Sequence, residues 1–206
     1  MKSIRFNADE VRSTLKGRKT VFRKPIKQLV CMDDRSDGKP AQELDFYVSP
    51  KTGILYYKDI DRQVTIDGKL VIAPYHTGDI LYVRETWAVN RITPHDPEWV
   101  YKADFDCTAK PYKNWKWRPS IHMPKEAVRI FLRVTGVRVE RLQDILKDPS
   151  GPQNQVVREG FRYACDFIAT WWYTVKPQDR RCYGWDANPW VWVIEFEICE
   201  KPEGAE

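Results

Sequence analysis

A lysine and a threonine, Lys19 and Thr20, stand side by side in the run Gly17-Arg18-Lys19-Thr20. As a neutral amine, Lys19 could act as a base, and as an ammonium it could hold a phosphate or a developing oxyanion. The preceding residues predict a helix over about 8–16, and a strand follows the run directly. Both polar side chains therefore lie where a helix gives way to a strand, and functional sites are often built on such loops.

The composition of the 206 residues is basic and rich in aromatic side chains. The net charge is +5, and aromatic residues make up 13% of the chain. Residues 1–30 and residues 110–141 each hold nine cations and two acids. These blocks could converge on one face for an anionic ligand, or each could be a solvated surface. The aromatic rings could stack on bases or fill a β-rich core.

Other common chemistries leave no signature in the sequence. The three His and five Cys lack zinc-ligand spacing and any C-x-x-C pair, and there is no G-x-S-x-G elbow or Gly-rich phosphate loop. We therefore expect no metal and no cofactor. No apolar run approaches the roughly 20 residues of a membrane helix, and the charged start predicts no signal peptide. A cytoplasmic protein with free cysteines is expected, and the sequence leaves its oligomeric state open.

The elements that position these residues are mostly short strands. Asn7 and Glu10 form a capping-box pattern for the first helix, and Gly17 ends it. Residues 44–48 and 54–57, and then 64–66 and 70–72, read as two hairpins within a β-rich insertion at 28–74.

The second half of the chain predicts a further helix and a long closing strand. The helix covers 160–173, with Phe161, Cys165, Ile168 and Trp172 as its apolar stripe. The closing strand buries Trp190 and Trp192, whereas the pair Trp171–Trp172 divides between core and surface. A change of alternation at Gly136 predicts a bulge or a break between two strands. The pattern as a whole predicts an α+β fold with two main helices and a small, partly closed β-barrel.

The run at 15–20 resembles the G-R-K-T signature that opens ASCH domains, a family with the PUA-like β-barrel fold. Six later segments resemble the phage and prophage branch of that family and occur in its order. They are 78–87, 100–104, 117–124, 137–142, 159–160 and 188–192. The resemblance implies one PUA-like domain over 1–199, with a hairpin insertion at 28–74 and a flexible tail at 200–206.

The resemblance also implies a cleft for RNA or a nucleotide beside the opening motif. Some bacterial members hydrolyse the amide of N4-acetylcytidine with the motif's Lys, a Thr three residues later and a Glu before the second helix. Here Lys19 and Glu159 match, but the Thr position is Phe22, so Thr20 or a bound water would have to supply the hydroxyl. Binding is therefore implied more firmly than catalysis, and Lys19 with Glu159 could also be a structural ion pair.

Further residues could line the implied cleft. One group follows a predicted strand and comprises Arg84, Glu85 and Trp87. Trp87 could stack on a base. Alternatively, Trp87 could cap the core, with Arg84 and Glu85 holding the barrel together. A polar loop flanked by prolines offers a second group, in which Arg118 could grip a phosphate. The remaining ligand-binding candidates are Arg18, Arg23, Trp117, Ser120 and His122.

Three functions follow as hypotheses. The first is an RNA- or nucleotide-binding protein with a basic cleft around the G-R-K-T motif. The second is an amidohydrolase acting on an N4-acylated cytidine-type nucleoside. The third is a phage scaffold or interaction protein that works through the insertion at 28–74.

Overall fold

The computed structural model describes residues 1–27, 29, 46–57, 62–66, 69–90, 98–105, 115–147 and 152–202. The chain forms two compact units, each built from separate segments. Unit 1 comprises Met1–Lys19, Asp79–Arg133 and Glu197–Glu206, and unit 2 comprises Thr20–Gly78 and Val134–Phe196. The single domain over 1–199 stays a prediction, since compact units can belong to one domain.

Twelve strands and four α-helices are described. In chain order the strands are β1 (Lys2–Arg5), β2 (Val21–Pro25), β3 (Phe46–Val48), β4 (Leu55–Tyr57), β5 (Arg62–Gln63), β6 (Thr65–Ile66), β7 (Lys69–Leu70), β8 (Ile80–Arg84), β9 (Trp87–Asn90), β10 (Glu98–Tyr101), β11 (Phe131–Arg141) and β12 (Trp190–Cys199). The helices are α1 (Ala8–Leu15), α2 (Pro152–Arg158), α3 (Ala164–Thr174) and α4 (Arg180–Tyr183).

The main sheet has five strands in the order β1-β8-β11-β12-β2. Together with the helices it makes an α+β fold, as the sequence predicted. Over the ranges given above the sheet is open, with β1 and β2 at its ends, and it does not close into a barrel. The finer assignment to a PUA-like barrel stays a prediction.

Unit 1 is built around the pairing of β1 with β8. The two strands run parallel, with Ile4 opposite Val83, and residues 131–133 of β11 pair with β8 on its other side. Strands β9 and β10 form an antiparallel pair in which Trp87 lies opposite Tyr101. Trp87 packs with Met123 and Ala127 in a small apolar cluster of this unit.

Unit 2 is built around the antiparallel pair of β2 and β12. Phe22 lies opposite Ile194, and opposed residues of such a pair point to the same face of the sheet. One face presents Val21, Val191 and Val193 to a core that includes Phe167 and Trp171 of α3. The other face buries Trp192, Ile194 and Phe196. The closing strand is thus apolar on both faces, and the predicted burial of Trp192 is confirmed.

The predicted hairpins of the insertion are confirmed where it is described. Strands β3, β4 and β5 form a three-stranded antiparallel sheet, and β6 pairs with β7. The turn residues Asp67 and Gly68 of the second hairpin lie outside the described residues, as does most of 28–45. Of the predicted tail, 200–202 are described and 203–206 are not.

The helix predicted at 160–173 begins later, at Ala164. Gly160 has a φ of +94° and ends α2, which the sequence had not predicted. Its N–H donates to Val157 O at 2.8 Å, and the next N–H donates to Val156 O at 3.1 Å. This is the glycine-centred helix ending, and it uses the residues that had been assigned to the start of α3.

The predicted apolar stripe of α3 is out of phase. Cys165 is exposed and the Trp172 side chain is 40% exposed, so their predicted burial is wrong. Phe167 and Trp171 are the buried residues instead. Aromatic residues occur on both sides of this helix, so the spacing of apolar letters fits two phases about equally well.

Of the bulge or break predicted at Gly136, the break is wrong, because β11 runs as one strand through this position, whereas the bulge stays a prediction. A Cβ here would lie 3.3 Å from Oε2 of Glu195. Glycine therefore reflects the close approach of a side chain to the backbone at this point.

Candidate functional site

The G-R-K-T run acquires its shape from the end of α1. Gly17 has a φ of +68°, and its N–H donates to Thr14 O at 2.8 Å while that of Arg18 donates to Ser13 O at 2.9 Å. This ending turns the chain sharply and satisfies the last carbonyls of the helix. Arg18 is left exposed, whereas Lys19 is 3% exposed.

The Lys19 ammonium is placed by the capping box of the same helix. Glu10 accepts the Asn7 N–H on Oε2 at 2.9 Å, and its Oε1 lies 3.5 Å from Lys19 Nζ. Nζ also lies 5.6 Å from the centre of the Phe6 ring. Unit 1 therefore provides Lys19 with a carboxylate from the element that precedes it in sequence.

Glu159 is placed at the end of α2 by the turn at Gly160. Its side chain is 4% exposed, and its Oε1 accepts a hydrogen bond from Arg23 Nη1 at 2.8 Å. A carboxylate near a helix C-terminus lies at the negative end of the helix dipole, so it requires a cation. Arg23, whose side chain is 0% exposed, supplies that cation within unit 2.

Arg23 belongs to a wider network of charged groups. Its Nη2 donates to Glu140 Oε2 at 3.1 Å, and Arg138 bridges Glu140 to Glu195. The second partner of Glu195 is Arg158, at 3.0 Å. Burial alone would raise the pKa of Glu195, but hydrogen bonds and charge from Arg138, joined by Arg158, lower it below its ordinary value.

Thr20 enters the same network through its hydroxyl. Arg158 Nε donates to Thr20 Oγ1 at 3.3 Å, and the Thr20 N–H donates to Arg158 O at 2.8 Å. Three predicted site residues, Thr20, Arg23 and Glu159, therefore lie in one ion-pair network of unit 2. Lys19 is assigned to unit 1, where it pairs with Glu10.

Phe22 stands at the position for which the resemblance to the ASCH amidohydrolases implies a threonine. Its ring is 8% exposed and lies 5.9 Å, between centres, from the rings of both Tyr75 and Phe196. The side chain is thus part of an aromatic cluster on the face of β2 opposite Arg23.

The candidates around β8 and β9 are largely engaged with protein groups of unit 1. Trp87 is 2% exposed, and the Arg118 guanidinium lies 5.0 Å from its ring centre. Glu85 is 1% exposed and pairs with Arg129, not with Arg84. Burial raises the pKa of Glu85, and Arg129 offsets only part of that rise. This burial favours the core-capping interpretation of Trp87 over base stacking.

The loop candidates are more open. Arg118 and His122 are exposed, Ser120 and Trp117 are half-buried, and the Trp117 ring lies 5.7 Å from that of Trp115. A guanidinium nitrogen of Arg84 donates to the carbonyl of Ile121, within the turn Ser120–His122. Backbone bonds join Arg118 to Trp87 in both directions. The structure thus brings Arg84, Trp87, Arg118 and this turn together in unit 1.

A pocket of about 630 Å³ opens in unit 2 beside β2, the edge strand of the sheet. Four cations and three aromatic side chains line it, together with one acid. The lining residues are Arg23, Lys24, Pro25, Lys27, Ile72, Pro74, Trp171, Thr174, Val175, Lys176, Asp179, Tyr183 and Trp192. An excess of cations in a concave, partly apolar space raises the local concentration of anions.

The aromatic walls of the pocket are fixed by hydrogen bonds. Trp171 Nε1 donates to the carbonyl of Tyr183 at 2.8 Å, and the Tyr183 hydroxyl donates to the carbonyl of Lys27 at 3.2 Å. Trp192 is 3% exposed and opposes Lys24 in the sheet. Such fixed rings are arranged before a ligand arrives, which lowers the entropic cost of binding.

Sequence reasoning found Arg23 of the pocket and missed the other cations. Lys24 and Lys27 follow Arg23 at the end of β2, and both belong to the first basic block. Lys176 follows α3 directly, and its place in the pocket depends on the packing of α3 against β2 and β12. The charge of the first block was therefore a usable signal, whereas Lys176 had none.

In the ranges that the structure covers, no three or more His, Cys, Asp or Glu side chains are grouped to hold a metal ion. No helix in those ranges has the length and apolarity needed to cross a membrane.

Comparisons of the chain with protein-family models, with curated proteins and with solved structures gave no significant match. The resemblance to ASCH domains therefore stays a prediction that rests on the motifs quoted above.

Proposed function

We propose that the chain binds a nucleotide, free or as one unit of an RNA strand, in the pocket beside β2. The observation that carries this proposal is the lining: four cations with three aromatic rings around about 630 Å³. Sites for small ligands usually occupy roughly 300–1,000 Å³ and combine apolar walls with a few polar groups.

The chemistry of the lining suits both parts of a nucleotide. Lys24, Lys27 and Lys176 are exposed and can contact phosphate oxygens, which favour such cations. The half-buried Tyr183 can pack on a base, because every base has a π face that packs on aromatic rings, and the almost fully buried Trp171 and Trp192 add apolar contact at the pocket wall. Asp179, the one acid of the lining, offers an acceptor for the amino group of a base.

The proposal agrees with the RNA or nucleotide cleft that the resemblance implies. Thr20, the last residue of the G-R-K-T run, directly precedes β2, and Arg23 of that strand lines the pocket. Membership of the ASCH family and the PUA-like barrel are proposed as well, and both rest on the sequence motifs of the resemblance. Amide hydrolysis is not proposed, because Glu159 is engaged by Arg23 and position 22 carries a packed phenylalanine.

Isothermal titration with the four ribonucleoside monophosphates and their nucleosides tests the proposal. We expect at least one monophosphate to bind, its nucleoside to bind more weakly, and the affinity to fall as salt is added. Lys24→Ala with Lys176→Ala should weaken binding about tenfold, since each exposed lysine–phosphate contact contributes about 0.7 kcal/mol and about 1.4 kcal/mol corresponds to a factor of ten.

Lys51→Ala with Lys69→Ala is the matched control, because both lysines are exposed in unit 2 and neither is part of the pocket lining. It removes two positive charges, as the pocket variant does, and should leave the affinity within a factor of about two. Equal loss in the two double variants would indicate an effect of net charge alone. Absence of binding by every nucleotide would contradict the proposal.

A further inference from the structure

Helix α3 presents aromatic side chains on the face that points away from the core. Tyr173 is 81% exposed and Trp172 is 40% exposed, whereas Phe167 and Trp171 are buried on the opposite side. The outer face of a surface helix is ordinarily polar, so two adjacent open rings are a departure that calls for a partner. We call Trp172, Tyr173 and the exposed Ala169 one turn before them the outer face of α3.

Cations accompany these rings. The Arg180 guanidinium lies 4.3 Å from the ring centre of Trp172, and Arg180 Nε donates to the Trp172 carbonyl at 3.3 Å. Arg181 is exposed beside it. Residues 172–183 carry three cations and one acid, and the nearest acid before them in sequence, the exposed Asp166, lies nearly two turns before Tyr173. The surroundings of the two rings are thus complementary to phosphate.

The outer face is continuous in sequence with the pocket. Thr174, Val175 and Lys176 directly follow Tyr173 and line the pocket, and Asp179 and Tyr183 line it on either side of Arg180. All of these residues belong to unit 2. The pocket and the outer face thus meet at the C-terminal end of α3, and a strand with one nucleotide in the pocket can reach Tyr173 by passing around that end.

We propose that the outer face of α3 is a base-stacking platform, and that the ligand of the adjoining pocket is a single-stranded nucleic acid of several nucleotides. This inference rests on the proposed nucleotide pocket. Single strands fit better than duplexes, because only unpaired bases can leave the stack to pack on protein rings. The Trp172 ring holds the Arg180 guanidinium in place by a cation–π contact, and the guanidinium can bind a phosphate of the strand.

Fluorescence anisotropy with a labelled oligouridylate of about twelve nucleotides tests the platform, with uridine monophosphate and a duplex of equal length as competitors. Wild-type protein should bind the oligonucleotide at least about tenfold more tightly than the monophosphate or the duplex. Tyr173→Ala should weaken oligonucleotide binding at least about fivefold and leave monophosphate binding unchanged.

Tyr173→Phe is the matched control, because it keeps the ring and removes only the hydroxyl, and it should bind like wild type. With Tyr173 this exposed, the alanine variant should also keep the wild-type melting temperature. Unchanged oligonucleotide affinity in Tyr173→Ala, or an equal loss for both ligands, would overturn the platform.

The same titrations separate this inference from the proposed function. Suppose that Lys24→Ala with Lys176→Ala weakens binding of both the oligonucleotide and the monophosphate, while Tyr173→Ala weakens neither. The nucleotide pocket is then supported and the stacking platform is contradicted. If the monophosphates bind but the oligonucleotide binds no more tightly than they do, the platform is also contradicted. If neither the oligonucleotide nor any of the four monophosphates binds the wild-type protein, both proposals are contradicted together.

Discussion

Arg23 carries a guanidinium that has no exposed side-chain surface and lies among carboxylates. It donates to Glu159 at 2.8 Å and to Glu140 at 3.1 Å, and its Nε is buried without a hydrogen-bond partner within the described part of the chain. Removing one partner of a buried ion pair leaves the other charge in a medium of low polarity. The pair therefore fixes β2 to α2 more than it adds net stability.

Replacing Arg23 alone should be costly for that reason. We expect Arg23→Met to lower the free energy of unfolding by about 3 kcal/mol, measured by urea denaturation. The double variant Arg23→Met with Glu159→Leu should recover at least about half of that loss, because apolar groups of similar volume often replace a buried pair at little cost. Simple addition of the two single losses would show that these two charges are not coupled.

At this scale the sequence predicts which residues are candidates better than it predicts their contacts. The structural ion pair of Lys19 with Glu159 stays a prediction, and the structure shows two pairs that the sequence does not predict: Lys19 with Glu10 and Arg23 with Glu159. The first pair is local and follows from the capping box. The second joins residues 136 positions apart, and one sequence contains no record of such a contact.

The elements divide into those with local signals and those without. Helix α1 was predicted from Asn7, Glu10 and Gly17, and the structure shows the full capping box. Helix α2 was missed, because its ending at Gly160 was read as the start of α3. The phase of α3 was wrong because aromatic residues lie on both of its sides, and only packing against β2 and β12 decides which are buried.

The cap of α1 gives a test at the scale of the element. Asn7 Oδ1 accepts the N–H groups of Asp9 at 3.0 Å and Glu10 at 2.9 Å. Asn7→Ala should lower the free energy of unfolding by about 1 kcal/mol, whereas Asn7→Ser keeps an acceptor and should lose much less. Thermal denaturation followed by circular dichroism measures both. Equal stability of Asn7→Ala and the wild type would show that the cap contributes nothing.

For the whole molecule, the two basic blocks of the sequence differ in what they contribute to the pocket. The first block supplies Arg23, Lys24 and Lys27 to the pocket. None of the described residues of the second block lines the pocket, and its Arg129 and Arg138 are bound to carboxylates. Charge counted along the sequence therefore predicted an anionic ligand surface only in part, because many cations of a folded chain are neutralised by acids distant in sequence.

The same neutralisation sets how the stability of the molecule responds to acid. The pKa of Glu195 is lowered from its ordinary value of 4.5: burial opposes the shift, but Arg138 and then Arg158 outweigh it. A carboxylate with a lowered pKa in the folded state stabilises that state above the unfolded-state pKa, and the contribution is lost as the pH falls through the folded-state pKa. Glu85, whose pKa is raised by burial, acts in the opposite direction.

Glu195→Gln should therefore destabilise the protein at neutral pH and matter less in acid. We expect a loss of about 1 kcal/mol at pH 7, a figure reduced for the partial exposure of the ion pairs, and convergence of variant and wild type as the pH falls below 4.5. Urea denaturation across this pH range measures the difference. Glu197→Gln is the control: its contact with Arg133 is 3.8 Å long and 56% exposed at the carboxylate, so it should change stability by less than about 0.5 kcal/mol. A difference between Glu195→Gln and wild type that grew in acid would mean that the Glu195 carboxylate is not held ionised by its arginines.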